Sequence, residues 1–415
     1  DCALPIYVAG EAKNETAATA AMEQLLRDFP EGTLAEAGLL SFGGARAREA
    51  SPSGRRRVLE DFLKHSPDSK LTPAVRLAIA RTCEQERAWT NAVGQYDELL
   101  AASPEPTMQA RAEYYRALAV WHTGNTTNAL DLFTQFVTAH PTNLFAPLAQ
   151  WWIAQHYFGE GDFREAEVHC QKLAGNYPTS PLRHEAILLA GRAAFARDLH
   201  AEALGYFTNL TSDASCPAEF QAQALFASGD AFMSMAKSLG ETNETAQANY
   251  REAAKRFIHV SEVFTNSPIA LLAQGALGRC YFQLGAFDPA QYEFASNTLA
   301  RVIESPAPVA ARSEAECMLA LVSEKRSQLE AFQSVSVDLW RRAQDHYLNV
   351  VYGTNLRDGE TSDPFWVKFA GLKALNLAEA RQLWPQVIKL CDTLSEALPT
   401  LKPQLEKKQI GRAHV

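Results

Sequence analysis

At 415 residues the chain is longer than one compact core usually organises, so it either divides into domains or extends as a stack of repeated units. Hydrophobic residues at 47% and charged residues at 21% exclude a disordered chain, a collagen-like fibre and a highly charged tail protein. The net charge of −9 supplies no general attraction to nucleic acid or anionic lipid, and no nucleic-acid partner is expected. The chain opens Asp1-Cys2-Ala3-Leu4-Pro5 without a starting methionine or an export signal, which reads as a truncated start. Taken in order, residues 1–30 read as the second helix of an incomplete first unit. Pro30, Pro67, Pro104, Pro141 and Pro178 then follow one another at 37-residue steps. Twelve residues before each lies Ala18, Arg55, Ala92, Ala129 or Ala166, a row that Ala203 continues; another twelve before Arg55 to Ala203 stand Gly43, Ala80, Ala117, Ala154 and Gly191. Apolar residues recur at three- and four-residue steps within each half, and Pro or Gly marks the joins, so each unit is two helices over 31–215. Small residues in both rows imply a close helix crossing in which each hairpin's two small side chains face one another.

Beyond 215 the hairpins lengthen. The next small positions are Ala253, Ala290 and Ala343, which places the added residues inside the hairpins of 216–352. Gly240 stops one long helix and Thr245–Phe264 forms another. A polar connection at 353–363 precedes the last hairpin at 364–400, with Asp363 as N-cap and Pro364 at the first helical position. Residues 401–415 form a tail, and Ile410–Val415 resembles what the start of a sequencing adapter would encode, which makes those six residues a candidate artefact. The longest uncharged stretch, Leu132–Gly159, contains Pro141 and Pro147, so no transmembrane segment is expected.

The unit Ala154-x-x-Tyr157, Gly161-Asp162-Phe163-x-x-Ala166, Asn176-Tyr177-Pro178 resembles the tetratricopeptide repeat (TPR), and Trp121-His122-Thr123-Gly124 and Tyr281-Phe282-Gln283-Leu284-Gly285 repeat its turn. That resemblance implies an all-α, right-handed α-solenoid of about ten TPR-like hairpins with a 37-residue period. It also implies a concave groove lined by the first helices, holding a protein or peptide segment. The positions resembling the family's groove set are Tyr114, Trp121, Trp151, Phe158, Arg192, Phe195 and Arg279, and the aromatic series Trp121, Phe158, Phe195 extends to Phe232 and Phe282. Aromatic and arginine side chains suit such anchoring because they bury much area with few rotors. The alternative is that each aromatic simply packs against neighbouring repeats. The tails Arg27-Asp28-Phe29-Pro30 and Asn176-Tyr177-Pro178 resemble those of bacterial outer-membrane assembly lipoproteins and Tol-Pal coordinators, which implies a periplasmic or outer-membrane-attached setting.

Catalytic signatures are absent: no metalloprotease, nucleophile-elbow, Walker A, dinucleotide or calcium-loop motif occurs. No enzyme activity, cofactor, metal or small-molecule substrate is expected. Cys83, Cys170, Cys280, Cys317 and Cys391 fall inside helices as small core hydrophobes, leaving Cys2 and Cys216 as the candidates for a bridge. His156 and His169 lack a third ligand and read as capping or surface residues. Arg46, Arg48, Arg55, Arg56 and Arg57 read as a solvated face, with a phosphate-binding patch as the alternative. A competing reading makes the array an accessory region of a larger enzyme or signalling protein truncated at both ends.

Overall fold

A computed structural model describes residues 15–28, 38, 39, 42, 52–102, 104–240 and 243–410. The described residues form α-helices joined by short turns, with no strand among them. The N-terminal helices are α1 (Glu15–Asp28) and α2 (Pro52–His65). Four regular hairpins follow: α3 (Thr72–Gln85) with α4 (Trp89–Ala101), α5 (Pro106–His122) with α6 (Thr126–Ala139), α7 (Ala146–Gly159) with α8 (Phe163–Asn176), and α9 (Arg183–Ala196) with α10 (His200–Ser212). Longer hairpins come next: α11 (Ala218–Leu239) with α12 (Glu244–Val263), α13 (Pro268–Leu284) with α14 (Gln291–Glu304), and α15 (Val309–Ser327) with α16 (Ser336–Val351). The array closes with α17 (Pro364–Ala380), α18 (Trp384–Ala397) and α19 (Lys402–Ile410). Contacts divide the chain into two units, residues 1–186 and 187–415.

The turn inside each regular hairpin has one repeated device. Arg87, Gly124, Gly161 and Asp198, spaced by 37 residues, all adopt positive φ, and Gln382 does the same in the last hairpin. At Arg87 and Asp198 the helix end closes with a six-to-one bond, from Ala88 N–H to the Cys83 carbonyl at 2.8 Å and from Leu199 N–H to the Ala194 carbonyl at 3.0 Å. The second helix then starts on a side-chain cap where the sequence offers one: Asn125 accepts from Asn128 N–H and Asp162 from Glu165 N–H, each at 3.2 Å. Gly285 departs from this scheme. Its φ is −59°, and a Cβ there would collide with the Tyr292 ring, so it is a packing glycine rather than a turn glycine.

The small rows are buried as expected, at Ala80, Ala92, Ala117, Ala129, Ala154, Ala166 and Ala203. What fills the space opposite the glycines is a large side chain of the second helix. A Cβ on Gly191, Gly229, Gly278 or Gly371 would strike Phe207, Phe257, Leu299 or Leu394, respectively. At three of these the large residue stands one helical turn beyond a buried alanine: Ala203 before Phe207, Ala253 before Phe257 and Ala295 before Leu299. That rule corrects one register. Ala290, expected in the small row, is exposed at the N-cap of α14, and Ala295 is the buried residue, because the turn carrying Pro289 extends the connection by five positions.

Two further expectations change. Arg55 is 3% exposed and belongs to no solvated face: its guanidinium donates to the Phe42 carbonyl at 2.8 Å and to Gln85 Oε1 at 2.5 Å. Arg56 pairs with Glu60 and Glu86, whereas Arg46 and Arg48, like Pro30, Gly43 and Cys2, lie outside the described residues. The residues after 401 form a helix rather than a tail up to Ile410, since Leu401 and Leu405 bury against the last hairpin; 411–415 lie outside the described residues. Asp363 caps α17 by accepting from Phe365 N–H at 2.9 Å and Trp366 N–H at 3.3 Å. The polar connection before it is bolted down. Arg312, 1% exposed, donates to the Ala307 carbonyl at 2.6 Å, to the Asn355 carbonyl at 3.3 Å and to Glu360. Arg357 donates to the Ser305 carbonyl at 2.6 Å, and Asn355 to Ser313 Oγ at 2.9 Å.

Candidate partner-binding face

Among the sequence candidates, those in the first unit divide by burial. Tyr114 is not available to a partner: it is 8% exposed, stacked on Phe145 at 4.7 Å and edge-on to Phe133, and desolvation pushes its hydroxyl up to about 12. Phe158 is half-buried and lies edge-on to Phe163 of its own hairpin at 5.1 Å. Trp121 is 39% exposed and meets Trp152 edge-on at 5.9 Å. Trp152, rather than its neighbour Trp151, joins this ring series; it stacks on His156 at 5.3 Å, while Trp89 stacks on His122 at 4.0 Å. Within the tryptophan doublet the groove offset selected Trp151, which is half-buried. His169 is no surface residue: it stacks on Tyr157, contacts Gln150, and burial holds its imidazole down at about 4.

In the second unit the aromatics likewise serve their own hairpins. Phe195 meets His200 edge-on at 5.4 Å, Phe232 packs on the Phe257 core, and Phe282 lies 6.0 Å from Tyr292. Phe158, Phe195 and Phe282 thus lie over the start of the second helix of their own hairpins, whereas Trp121 reaches the next hairpin and Phe232 packs mid-helix.

The arginines behave differently. The first helices of consecutive hairpins touch, α11 with α13 and α13 with α15, and polar side chains bridge this seam. Arg192 donates to Gln223 Oε1 at 2.8 Å, and Arg279 on α13 pairs with Glu314 on α15 at 2.6 Å. Each arginine directly follows a packing glycine, Gly191 or Gly278, and the equivalent residue after Gly229 is Asp230. The tight glycine contact fixes that helix against its partner, and the next side chain is thereby aimed along the seam. A Gly-Arg, Gly-Asp, Gly-Arg series was legible in the sequence and marks a row that the aromatic period concealed.

Asp230 is half-buried and no described residue donates a hydrogen bond to it. Desolvation raises its carboxyl to about 6, with Arg279 partly offsetting the burial. Leu272 on α13 stands 47% exposed, and a cavity of about 90 Å³ opens among Phe226, Leu272, Gly275, Arg279, Ala311 and Glu314. Asp230, Phe226, Leu272 and Glu314 were not among the sequence candidates. The cavity's rim offers a fixed ion pair and an apolar step. Among the described residues no group of His, Cys, Asp and Glu could hold a metal ion, and no helix is long and apolar enough to cross a membrane. Burial pushes the Cys170 and Cys317 thiols up to about 12, which makes them poor nucleophiles.

The fold is that of an all-α helical-repeat protein. Residues 101–266 match the family model described as a tetratricopeptide repeat-like domain. No curated protein matches the chain. It is similar to a tetratricopeptide repeat protein from Parabacteroides merdae ATCC 43184, at 17% identity and TM-score 0.35, over 60% of this chain and 90% of that one. A structure named as the human IFIT1 dimer with PPP-AAAA is similar over 98% of this chain and 89% of its own, at 13% identity and TM-score 0.42. Naa15/Naa10 bound to HypK-THB gives 13% identity and TM-score 0.37, over 98% of this chain and 64% of its own. The exclusion of a nucleic-acid partner is corrected by the IFIT1 structures, which are named with PPP-AAAA and m7Gppp-AAAA.

Proposed function

We propose that this chain is a non-enzymatic interaction scaffold that holds a segment of a partner protein along the first-helix seam of residues 187–415. The observation that carries the reading is the exposed Leu272 beside the Arg279–Glu314 pair, an apolar step next to oriented charge on a preformed surface. The seam is set by glycine contacts rather than by a mobile loop, so binding orders the partner more than the scaffold. The proposed setting is a bacterial cell-envelope complex, periplasmic or attached to the outer membrane, on the strength of the resemblance of the repeat tails; a lipobox encoded upstream of Asp1 would support it.

The test is a paired substitution. Leu272→Glu with Arg279→Glu is expected to abolish binding of a displayed random peptide pool selected on the unmodified chain, read by biolayer interferometry, with the melting temperature held within about 2 °C. Unchanged binding sinks the scaffold reading at this seam. Trp121→Ala is expected to leave that binding intact, since Trp121 lies in the other unit.

A further inference from the structure

Each packing glycine sets a register for its helix. Gln223, six residues before Gly229, accepts from Arg192 on the preceding first helix at 2.8 Å, so that position faces the seam. Leu272 stands six residues before Gly278 and Phe365 six before Gly371, and both are exposed, Phe365 at 65%. On α17 the apolar surface runs on. Phe369 is half-buried one turn after Phe365, and Leu372, directly after Gly371, is 39% exposed one turn further. Steps of four and three residues put these side chains in one stripe about 10 Å long. Lys368 and Lys373 fall on its two edges, and they are the only charged residues between Asp363 and Glu379. Neither pairs with a carboxylate of the described residues: the Lys373 ammonium lies 5.9 Å from the centre of the Phe369 ring, and the Asp363 carboxylate is engaged in capping α17.

We infer that α17 is a docking face for an acidic amphipathic helix of a partner protein, whose apolar ridge covers Phe365, Phe369 and Leu372 while aspartate or glutamate on either side of that ridge pairs with Lys368 and Lys373. The inference rests on the scaffold reading, extends it to the last hairpin and adds the form and charge of the partner. Charge selects this occupant over two others. An isologous second copy would set the lysines of one chain against those of the other, and an anionic bilayer would repel a chain of net charge −9.

The probe is a displayed library of sixteen-residue peptides with leucine at helical spacing and Glu, Lys, Ala or Ser at every other position, selected on the full chain. Glu is expected to be enriched over Lys at the positions that flank the leucines. For the best synthetic peptide, Lys368→Glu with Lys373→Glu is expected to weaken Kd at least about tenfold, and Phe365→Ser with Leu372→Ser to do the same. Raising the salt from about 50 to about 500 mM is expected to weaken binding to the unmodified chain several-fold and to leave the lysine variant unmoved. Both variants alter exposed or half-buried positions, so their melting temperatures are expected to stay within about 2 °C of the unmodified chain. Peptides indifferent to both α17 variants yet lost on Leu272→Glu with Arg279→Glu overturn this inference and leave the scaffold reading standing, as does enrichment of Lys over Glu. Dimerisation of the peptide-free chain in sedimentation velocity, or its binding to phosphatidylglycerol vesicles, overturns it in the same way if Phe365→Ser with Leu372→Ser abolishes that association. No enriched peptide, or binding unmoved by any of these variants, overturns both.

Discussion

Asp230 carries a cost in the free protein that can be measured. Its folded-state carboxyl titrates at about 6, above the ordinary value of 3.8, so the stability associated with its protonated form is complete below the ordinary value and is lost as pH rises through 6. Asp230→Asn is therefore expected to raise stability at pH 7.5, by up to about 2 kcal/mol after allowance for solvent screening, with the gain vanishing by pH 4. Paired thermal melts at the two pH values check the sign. Arg55 gives the opposite lesson. The repeat pattern asks for alanine there, yet Arg55→Ala is expected to cost about 2 kcal/mol in urea unfolding, because the Phe42 carbonyl and Gln85 lose their buried donor. Sequence periodicity could flag Arg55 as the odd member of its row. It could not show that the guanidinium replaces the missing helix contact, since Phe42 and Gln85 are brought to it only by folding.

The hairpin turns separate what glycine reveals from what it hides. Gly124 and Gly161 were recognisable as turn residues, and Arg87 and Asp198 hold the same left-handed conformation at the same 37-residue spacing without the glycine that would announce it. A side chain at positive φ costs roughly 1 kcal/mol, so Arg87→Gly and Asp198→Gly are each expected to raise the melting temperature by a few degrees, less the entropy glycine loses on folding. Gly285→Ala is expected to do the reverse, by about 2 kcal/mol, since its methyl group would press on Tyr292. The two-helix unit itself was legible because its apolar spacing and its small rows have a fixed period. The slip from Ala290 to Ala295 was not, because an insertion within a hairpin resets the count and only the large residue opposite the next glycine reveals the new register. The aromatic series was visible for the same periodic reason, and period alone does not separate a ring that closes a turn from one that meets a partner.

In a stack of hairpins each unit leans mainly on its neighbours, and the segment at 353–363 is the exception. It contacts residues some fifty positions back through Arg312 with Glu360 and through Arg357 with the Ser305 carbonyl. Arg312→Ala is expected to cost about 3 kcal/mol, because Glu360 and two carbonyls lose a buried cation, and to raise amide exchange across 353–397 while leaving 72–139 unchanged. The Glu360 carboxyl is held below its usual range by its bond to Arg312, so this support is present at neutral pH and fades as acid titrates through the lowered value. A composition reading saw only polar residues there and named a connection; the pairing partners lie too far away in the chain for local pattern to find. Arrays of this kind ordinarily unravel from their ends, one unit at a time. Tied back at both of its ends, the stretch from Ser305 to Glu360 instead has to let go as a block, so local opening there should take α15 and α16 together rather than one helix at a time.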